Sequence, residues 1–250
     1  AKASLPIASD LARPEHSLAW KKTDESLALL NNDITVWQLN FARSEGKPYF
    51  HPLGLTDGTA LTWLRPADHP WHRALWFSWK YINGLNYWEE DKATGRSEGL
   101  SEIDQVKVSC DDDHSASIQM TLNYNPPEAK PVLTETRRLR VSPPNEMGQY
   151  HIDWESRFVA QDEDVVLGRT PIPGEDKGVV WGGYAGLSLR LLKQARQWRF
   201  RDSEGDRAMR AHGQTARWVD YSGKIAIGQS AGIPVFDHPQ NIKPHSPWYV

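Results

Sequence analysis

The sequence predicts an all-β fold, a large antiparallel β-sandwich in a single domain spanning residues 1–250, and three observations carry that prediction. Apolar and polar residues alternate with period two in several segments. No stretch sustains a 3.6-residue period. Turn residues recur at short spacing, including Asp57-Gly58, Asn83-Gly84, Pro126-Pro127, Pro143-Pro144 and Ser222-Gly223.

The clearest strand pattern is Ala116, Ile118, Met120, Leu122 and Tyr124 against Ser115, Ser117, Gln119, Thr121 and Asn123. It predicts a sheet with one apolar face and one wet face. Tyr150, Ile152, Trp154, Phe158 and Ala160 continue the theme, as do Leu187, Leu189 and Leu191. Further strands are expected in Ile34–Phe41, Gln105–Cys110, Leu133–Val141, Gln197–Arg201, Arg217–Tyr221 and Lys224–Gln229. Asn83-Gly84 lies between aromatic runs and predicts a two-residue hairpin. Arg169–Trp181 is rich in Gly and Pro and is expected to be an irregular segment able to cover a site.

Composition narrows the function classes. The chain has 250 residues and a formal net charge of -3, which offers nothing to a nucleic acid or an anionic membrane. No apolar run approaches the roughly 20 residues of a membrane span, so a soluble protein is expected. The single cysteine, Cys110, excludes an internal disulfide and a cysteine-based zinc site. Cytoplasmic and periplasmic locations both remain open. Ala1-Lys2-Ala3-Ser4 reads equally as a signal-cleavage remnant or a vector remnant. The apolar end at Trp248-Tyr249-Val250 reads as a strand at the terminus or as a shortened chain. Twelve tryptophans are unusual. Each carries an N–H that seeks a partner, so some are expected to line a half-wet pocket.

The chemistry concentrates in Arg65–Trp79. There Asp68, His69, His72 and Arg73 alternate with Trp71, Trp76 and Trp79. Pro66 and Pro70 disfavour helix for the residues before them, so His69 and His72 are expected on a loop entering a strand. Imidazole takes and returns protons near neutral pH. A second Asp-His-Pro stands at Asp237-His238-Pro239, followed by Asn241, His245 and Trp248. The two loops are expected to meet at one end of the sandwich. Glu89, Glu90 and Asp91 follow Trp88 and read first as a solvated acidic loop, with a sharper reading in which desolvation beside the tryptophan raises a carboxyl pKa and makes it an acid. His151, Asp153, Glu155 and Arg157 share one strand face, read first as solvated. Tyr184, Gly186, Ser188 and Arg190 share another. The Asp111-Asp112-Asp113 run reads as an inert turn. No phosphate-binding glycine loop and no G-x-S-x-G elbow is present.

The runs His51-Pro-Leu, Asp68-His-Pro-Trp-His-Arg-Ala-Leu-Trp-Phe77 and Asn83-Gly-Leu-Asn-Tyr-Trp88 resemble the PmoA-like family, catalogued as "methane oxygenase PmoA". Gly186-Leu-Ser-Leu-Arg190, Trp218-Val-Asp-Tyr-Ser-Gly223 and Asp237-His-Pro-Gln-Asn241 fit the same pattern. Ala74 stands where that family commonly has glycine. The family name is not literal here, since a membrane monooxygenase subunit needs spanning helices. The resemblance implies a soluble bacterial β-sandwich in the setting of polysaccharide breakdown. On that basis a carbohydrate-active enzyme of lyase, hydrolase or epimerase type is expected.

In that reading His69 or His72 is the acid or base, with Asp237 and His238 completing the proton-transfer set. Arg73 and Arg190 meet hydroxyls, carboxylate or developing negative charge. His51, Glu89 and Asn241 join the binding surface, and Trp71, Trp76 or Trp88 forms a platform for a sugar ring. No cofactor is predicted. Two readings stand beside it: a non-catalytic glycan-binding module, and a metalloprotein with His51, His69, His72 or His238 binding a divalent metal.

Overall fold

Residues with period-two patterning form the strands, and the computed structural model describes residues 17–193, 196–206, 208–225, 230–244 and 246–249. The strands begin with β1 (Leu18–Lys22), β2 (Ser26–Asn31), β3 (Ile34–Asn40), β4 (Tyr49–Leu53) and β5 (Leu75–Ser78). There follow β6 (Tyr81–Ile82), β7 (Leu85–Asn86), β8 (Leu100–Cys110), β9 (Ala116–Asn125), β10 (Leu133–Val141) and β11 (Ile152–Ala160). The remainder are β12 (Leu167–Gly168), β13 (Gly186–Leu189), β14 (Arg196–Asp202), β15 (Gln214–Thr215), β16 (Trp218–Lys224), β17 (Ser230–Phe236) and β18 (Pro247–Trp248). Among the described residues the helical segments are two 3-10 turns, Arg43–Glu45 and Ala208–Ala211. No helix among them is long and apolar enough to cross a membrane. Ala1–Ser4, His245, Val250 and positions 226–229 of the Lys224–Gln229 candidate lie outside the described residues.

Two antiparallel sheets make the sandwich. One has the order β1-β2-β3-β4-β5-β13 and the other β11-β10-β9-β8. Leu27, Leu29, Trp37, Leu39 and Phe50 of the first pack with Ile118, Met120, Leu122, Leu139 and Val141 of the second in one core. The all-β expectation and the β9 alternation are thus what the chain adopts. Asn83-Gly84 turns β6 into β7 with Ile82 opposite Leu85, as the hairpin signal requires.

The inward face of β10 carries two charges. Leu133, Leu139 and Val141 point to the core, and Glu135 and Arg137 occupy the same face at 0% exposure. A buried charge is costly unless paired and hydrogen-bonded. Here Arg137 Nε and Nη2 donate to Glu135 Oε1 and Oε2 at 2.7 and 2.9 Å. Tyr124 Oη donates to Oε2 at 2.5 Å and Ser156 Oγ to Oε1 at 2.6 Å. The guanidinium lies over Trp154 and Phe77 at 4.8 and 5.6 Å. Burial would raise the Glu135 pKa, but the charge and hydrogen bonds of Arg137, with the hydrogen bonds of Ser156 and Tyr124, together outweigh it and hold the carboxyl below its usual range.

A separate sheet, β14-β16-β17, packs its own small cluster around Phe200, Val219, Val235 and Trp248. Ser222-Gly223, expected as a turn, lies inside β16 instead. Ser222 pairs with Gly232 and Gly223 with Ala231. On the opposite strand, a Cβ on Gly232 would stand 2.6 Å from Ser222 Cβ, so Gly232 is a glycine of close strand approach. Leu191, expected to extend β13, makes an isolated bridge to Thr62. The Asp153, Glu155 and Arg157 face of β11 is exposed, the solvated reading of that pattern.

Candidate active site

The six-stranded sheet has a second face, turned away from the sandwich core, and register places the aromatic residues on it. Tyr49 pairs with Trp76 across β4 and β5, and Trp76 with Ser188 across β5 and β13. Their neighbours Phe50 and Leu75 point the other way, into the main core. On this outer face Tyr49, Trp76 and Trp88 form a small buried cluster, bordered by Leu64, Trp71 and Tyr184. Trp76 and Trp88 rings are 5.6 Å apart and only 2% and 4% exposed. They are therefore a wall, and Trp71 keeps the accessible surface expected of a platform.

The loop from Arg65 to Ala74 lies over this cluster. His69 N–H donates to Pro66 O at 2.9 Å and His72 N–H to His69 O at 3.0 Å, two consecutive turns. The prolines thus produce the loop expected of them. Ala74 ends it with φ of 63°, in the left-handed region that favours glycine.

Beneath the loop runs an ion network. Arg73 is 2% exposed. Its Nη1 bonds to Glu90 Oε1 and to Trp71 O, and its Nε reaches Glu45 Oε2 at 3.4 Å. Lys47 Nζ donates to Glu90 Oε1 at 3.2 Å and Trp88 O at 3.0 Å. Arg65 Nη2 donates to Glu45 Oε2 at 2.7 Å. Arg73 therefore holds the Trp71–His72 backbone from below, out of reach of a ligand above. Lys47 and Glu45 were not legible as site residues. In sequence they are a charged turn, Arg43-Ser-Glu-Gly-Lys47, like many exposed ones.

Above the loop stand the histidines. Asp68 Oδ2 accepts from Arg190 Nη2 at 2.9 Å and lies 3.2 Å from His69 Nδ1. That second contact falls outside hydrogen-bond geometry. His69 and Arg190 together outweigh the slight burial of Asp68 and hold its carboxyl below the usual range. The His69 and His72 rings are 4.7 Å apart, and His72 lies 5.0 Å from Trp76. His72 Nδ1 is buried with no hydrogen-bond partner among the described residues. Burial, then the charges of His69 and Arg190, push the His72 imidazole down to about 4. At neutral pH it is uncharged. Arg190 and Lys193 both sit over the Trp63 ring, at 5.7 and 5.4 Å.

Glu89 corrects its expectation. Burial does pull its pKa upward, but hydrogen bonds from Lys80 and Tyr184 outweigh that and keep it low. Tyr184 Oη donates to Glu89 Oε1 at 2.8 Å. Tyr184 in turn stacks with Trp181 at 6.4 Å. Trp181 is 59% exposed and ends the Gly/Pro-rich segment after Arg169. That segment is clasped by two hydrogen bonds from Arg169 to Glu175, at 2.9 and 2.7 Å. It thus borders the site through one aromatic side chain.

The structure brings together His69, His72, Trp71, Trp76, Trp88, Glu89 and Arg190, with Arg73 underneath. His51 lies on neighbouring β4, its Nδ1 3.1 Å from Thr62 Oγ1, and burial lowers its pKa. Asp237, His238 and Asn241 stand in a turn after β17. Asn241 Nδ2 donates to Asp237 Oδ1 at 2.5 Å, and Gln240 N–H to His238 Nδ1 at 3.2 Å. These bonds remain within that turn. Among the described residues no group of three or more His, Cys, Asp or Glu side chains is placed to hold a metal ion.

No curated protein and no solved structure matches the chain. A family model matches residues 26–250, a span from the start of β2 that includes every side chain of this site. The chain belongs to that family, DUF6807, a family of unknown function.

Proposed function

We propose that the chain is a carbohydrate-active enzyme of lyase, hydrolase or epimerase type, with His69 and His72 as its proton-transfer centre. One observation carries the reading. A relay of Arg190, Asp68 and His69 abuts a neutral, half-buried His72 at the edge of a tryptophan wall. A carboxylate beside an imidazole orients it and stabilises the imidazolium that forms on proton uptake. His69 therefore takes the proton. His72, uncharged at neutral pH, bonds a substrate hydroxyl, and Arg190 faces negative charge as it develops. Trp71 and Trp181 offer apolar surface to a sugar ring. The resemblance to the PmoA-like family supports the carbohydrate setting. Asp237, His238 and Asn241 receive no step in this scheme.

Proton NMR of the protein with a panel of mono- and disaccharides, keto-sugars and uronates tests the proposal. New sugar signals are expected, slowed about 10²–10⁴-fold in His69→Ala, the size of a lost acid or base. Asp68→Asn is expected to slow them less. Full turnover in both His69→Ala and His72→Ala would overturn the assignment. Saturation transfer without new signals would instead establish a glycan-binding module.

A further inference from the structure

We propose that Ser97 and Lys47 form a second, nucleophilic site, separate from the histidines, that cleaves acyl esters. Ser97 lines an open cleft of about 530 Å³, together with Asn86, Glu89, Glu90, Asp91, Arg96 and Glu98. Lys47 Nζ donates to Ser97 Oγ at 2.9 Å from the buried side. Ser97 Oγ in turn donates to Tyr87 O at a long 3.3 Å.

The hydrogen-bond count around Lys47 shows how the pair would work. As an ammonium, Nζ has three protons and three acceptors: Trp88 O, Glu90 Oε1 and Ser97 Oγ. On losing one proton it keeps the first two bonds and turns its lone pair toward Ser97. The serine hydroxyl then leaves its weak bond to Tyr87 O and donates to Nζ. That is the geometry of a serine activated by an adjacent amine. Such activation needs an amine that gives up its proton near neutral pH. Burial, then the Arg73 charge, lower Lys47 to about 8, with Glu90 and Glu89 pulling the other way.

The step balances without a cofactor. Ser97 Oγ attacks the ester carbonyl carbon while its proton passes to Lys47 Nζ. The carbon–oxygen bond to the alcohol breaks, and the departing oxygen takes that proton. Water then attacks the acyl-serine, giving a proton to Lys47, which returns it to Ser97 as the acid leaves. Four carboxylates and one arginine line the cleft, and Lys47, Arg73 and Lys80 pair with two of those carboxylates, Glu90 and Glu89.

The local backbone is built for this placement. Asp91 Oδ1 accepts from Ala93 N–H and Thr94 N–H, closing the turn that leads to Ser97. Gly99 lies flat on Tyr87, where a Cβ would stand 2.2 Å from the ring.

A fluorophosphonate probe with peptide mass spectrometry tests the proposal on the intact chain. The label is expected on Ser97, at a rate rising between pH 7 and 9 with a midpoint near 8. It is expected to vanish in Ser97→Ala and to slow about 10²-fold in Lys47→Arg, which keeps the charge but is no base. If Lys47→Arg does not fold, the pH midpoint of the unaltered chain decides. No label on Ser97, or a labelling rate flat between pH 7 and 9, would overturn the proposal. So would an unchanged rate in folded Lys47→Arg.

Discussion

Two of the buried ion networks among the described residues are built differently. The Glu135–Arg137 pair lies in the sandwich interior, sealed between the sheets, with one carboxylate and one guanidinium. The network under the histidine loop joins Lys47, Arg65 and Arg73 to Glu45 and Glu90, and its outer members reach solvent. In the first, hydrogen bonds from Arg137, Tyr124 and Ser156 saturate the carboxylate. In the second, three cations share two anions, and burial, then the neighbouring Arg73 charge, lower the pKa of Lys47. The contrast teaches where this protein holds charge for rigidity and where it leaves charge able to change. A closed neutral pair resists protonation and ligands alike. A buried amine beside a second cation holds one proton loosely.

Removing one partner from the sealed pair should have the largest effect. Arg137→Met leaves a buried carboxylate alone and is expected to cost about 3–5 kcal/mol in chemical denaturation. The double variant Glu135→Leu/Arg137→Met should recover most of that loss. A double variant no better than the single one would mean that the pair is not an isolated unit.

The open network should show itself through pH. Lys47 has a folded value of about 8 against 10.5 unfolded. Between those values the unfolded chain binds more protons, so stability rises with pH. The stability difference between the unaltered chain and Lys47→Met should therefore grow by up to about 3 kcal/mol from pH 8 to 10.5. Flat behaviour across that range would put Lys47 in the same class as the sealed pair.

His72 responds on the acid side. Its folded value of about 4 lies below the unfolded 6.5. The unfolded chain again binds more protons between the two, so stability present above pH 6.5 is lost as pH falls toward 4. NMR of the imidazole should show His72 neutral at pH 5.5, and His72→Gln should flatten the acid limb.

Ala74→Gly should have the smallest effect. It relieves a left-handed backbone at φ 63° but loosens the unfolded chain. A net gain of no more than about 1 kcal/mol is expected in thermal unfolding. A loss would show that the buried methyl packs more than it strains.

Much of this was legible before the structure. The β9 alternation and the Asn83-Gly84 hairpin follow from local rules, because side-chain period and turn dihedrals depend on adjacent residues. The crowding of Asp68, His69, His72 and Trp71 was legible because one loop supplies them all. Ser222-Gly223 misled because a glycine can stand inside a strand as well as at a turn. Glu135 and Arg137 sit at alternate positions between Leu133 and Leu139. That pattern put them on the inward face, but their charge argued for water, and only Tyr124 and Ser156 on neighbouring strands resolve the conflict.

Residue order alone determined the alternation of β9, the Asn83-Gly84 hairpin and the chemistry available in the Asp68–Trp76 loop. Only the tertiary structure decided that Arg73 lies beneath the site, that Arg190 closes onto Asp68 from 122 positions away, and that Lys47 meets Ser97. The physical reason is range. Backbone preferences act over a few residues, whereas the desolvation and pairing that set a side chain's charge depend on whatever the sheets bring beside it.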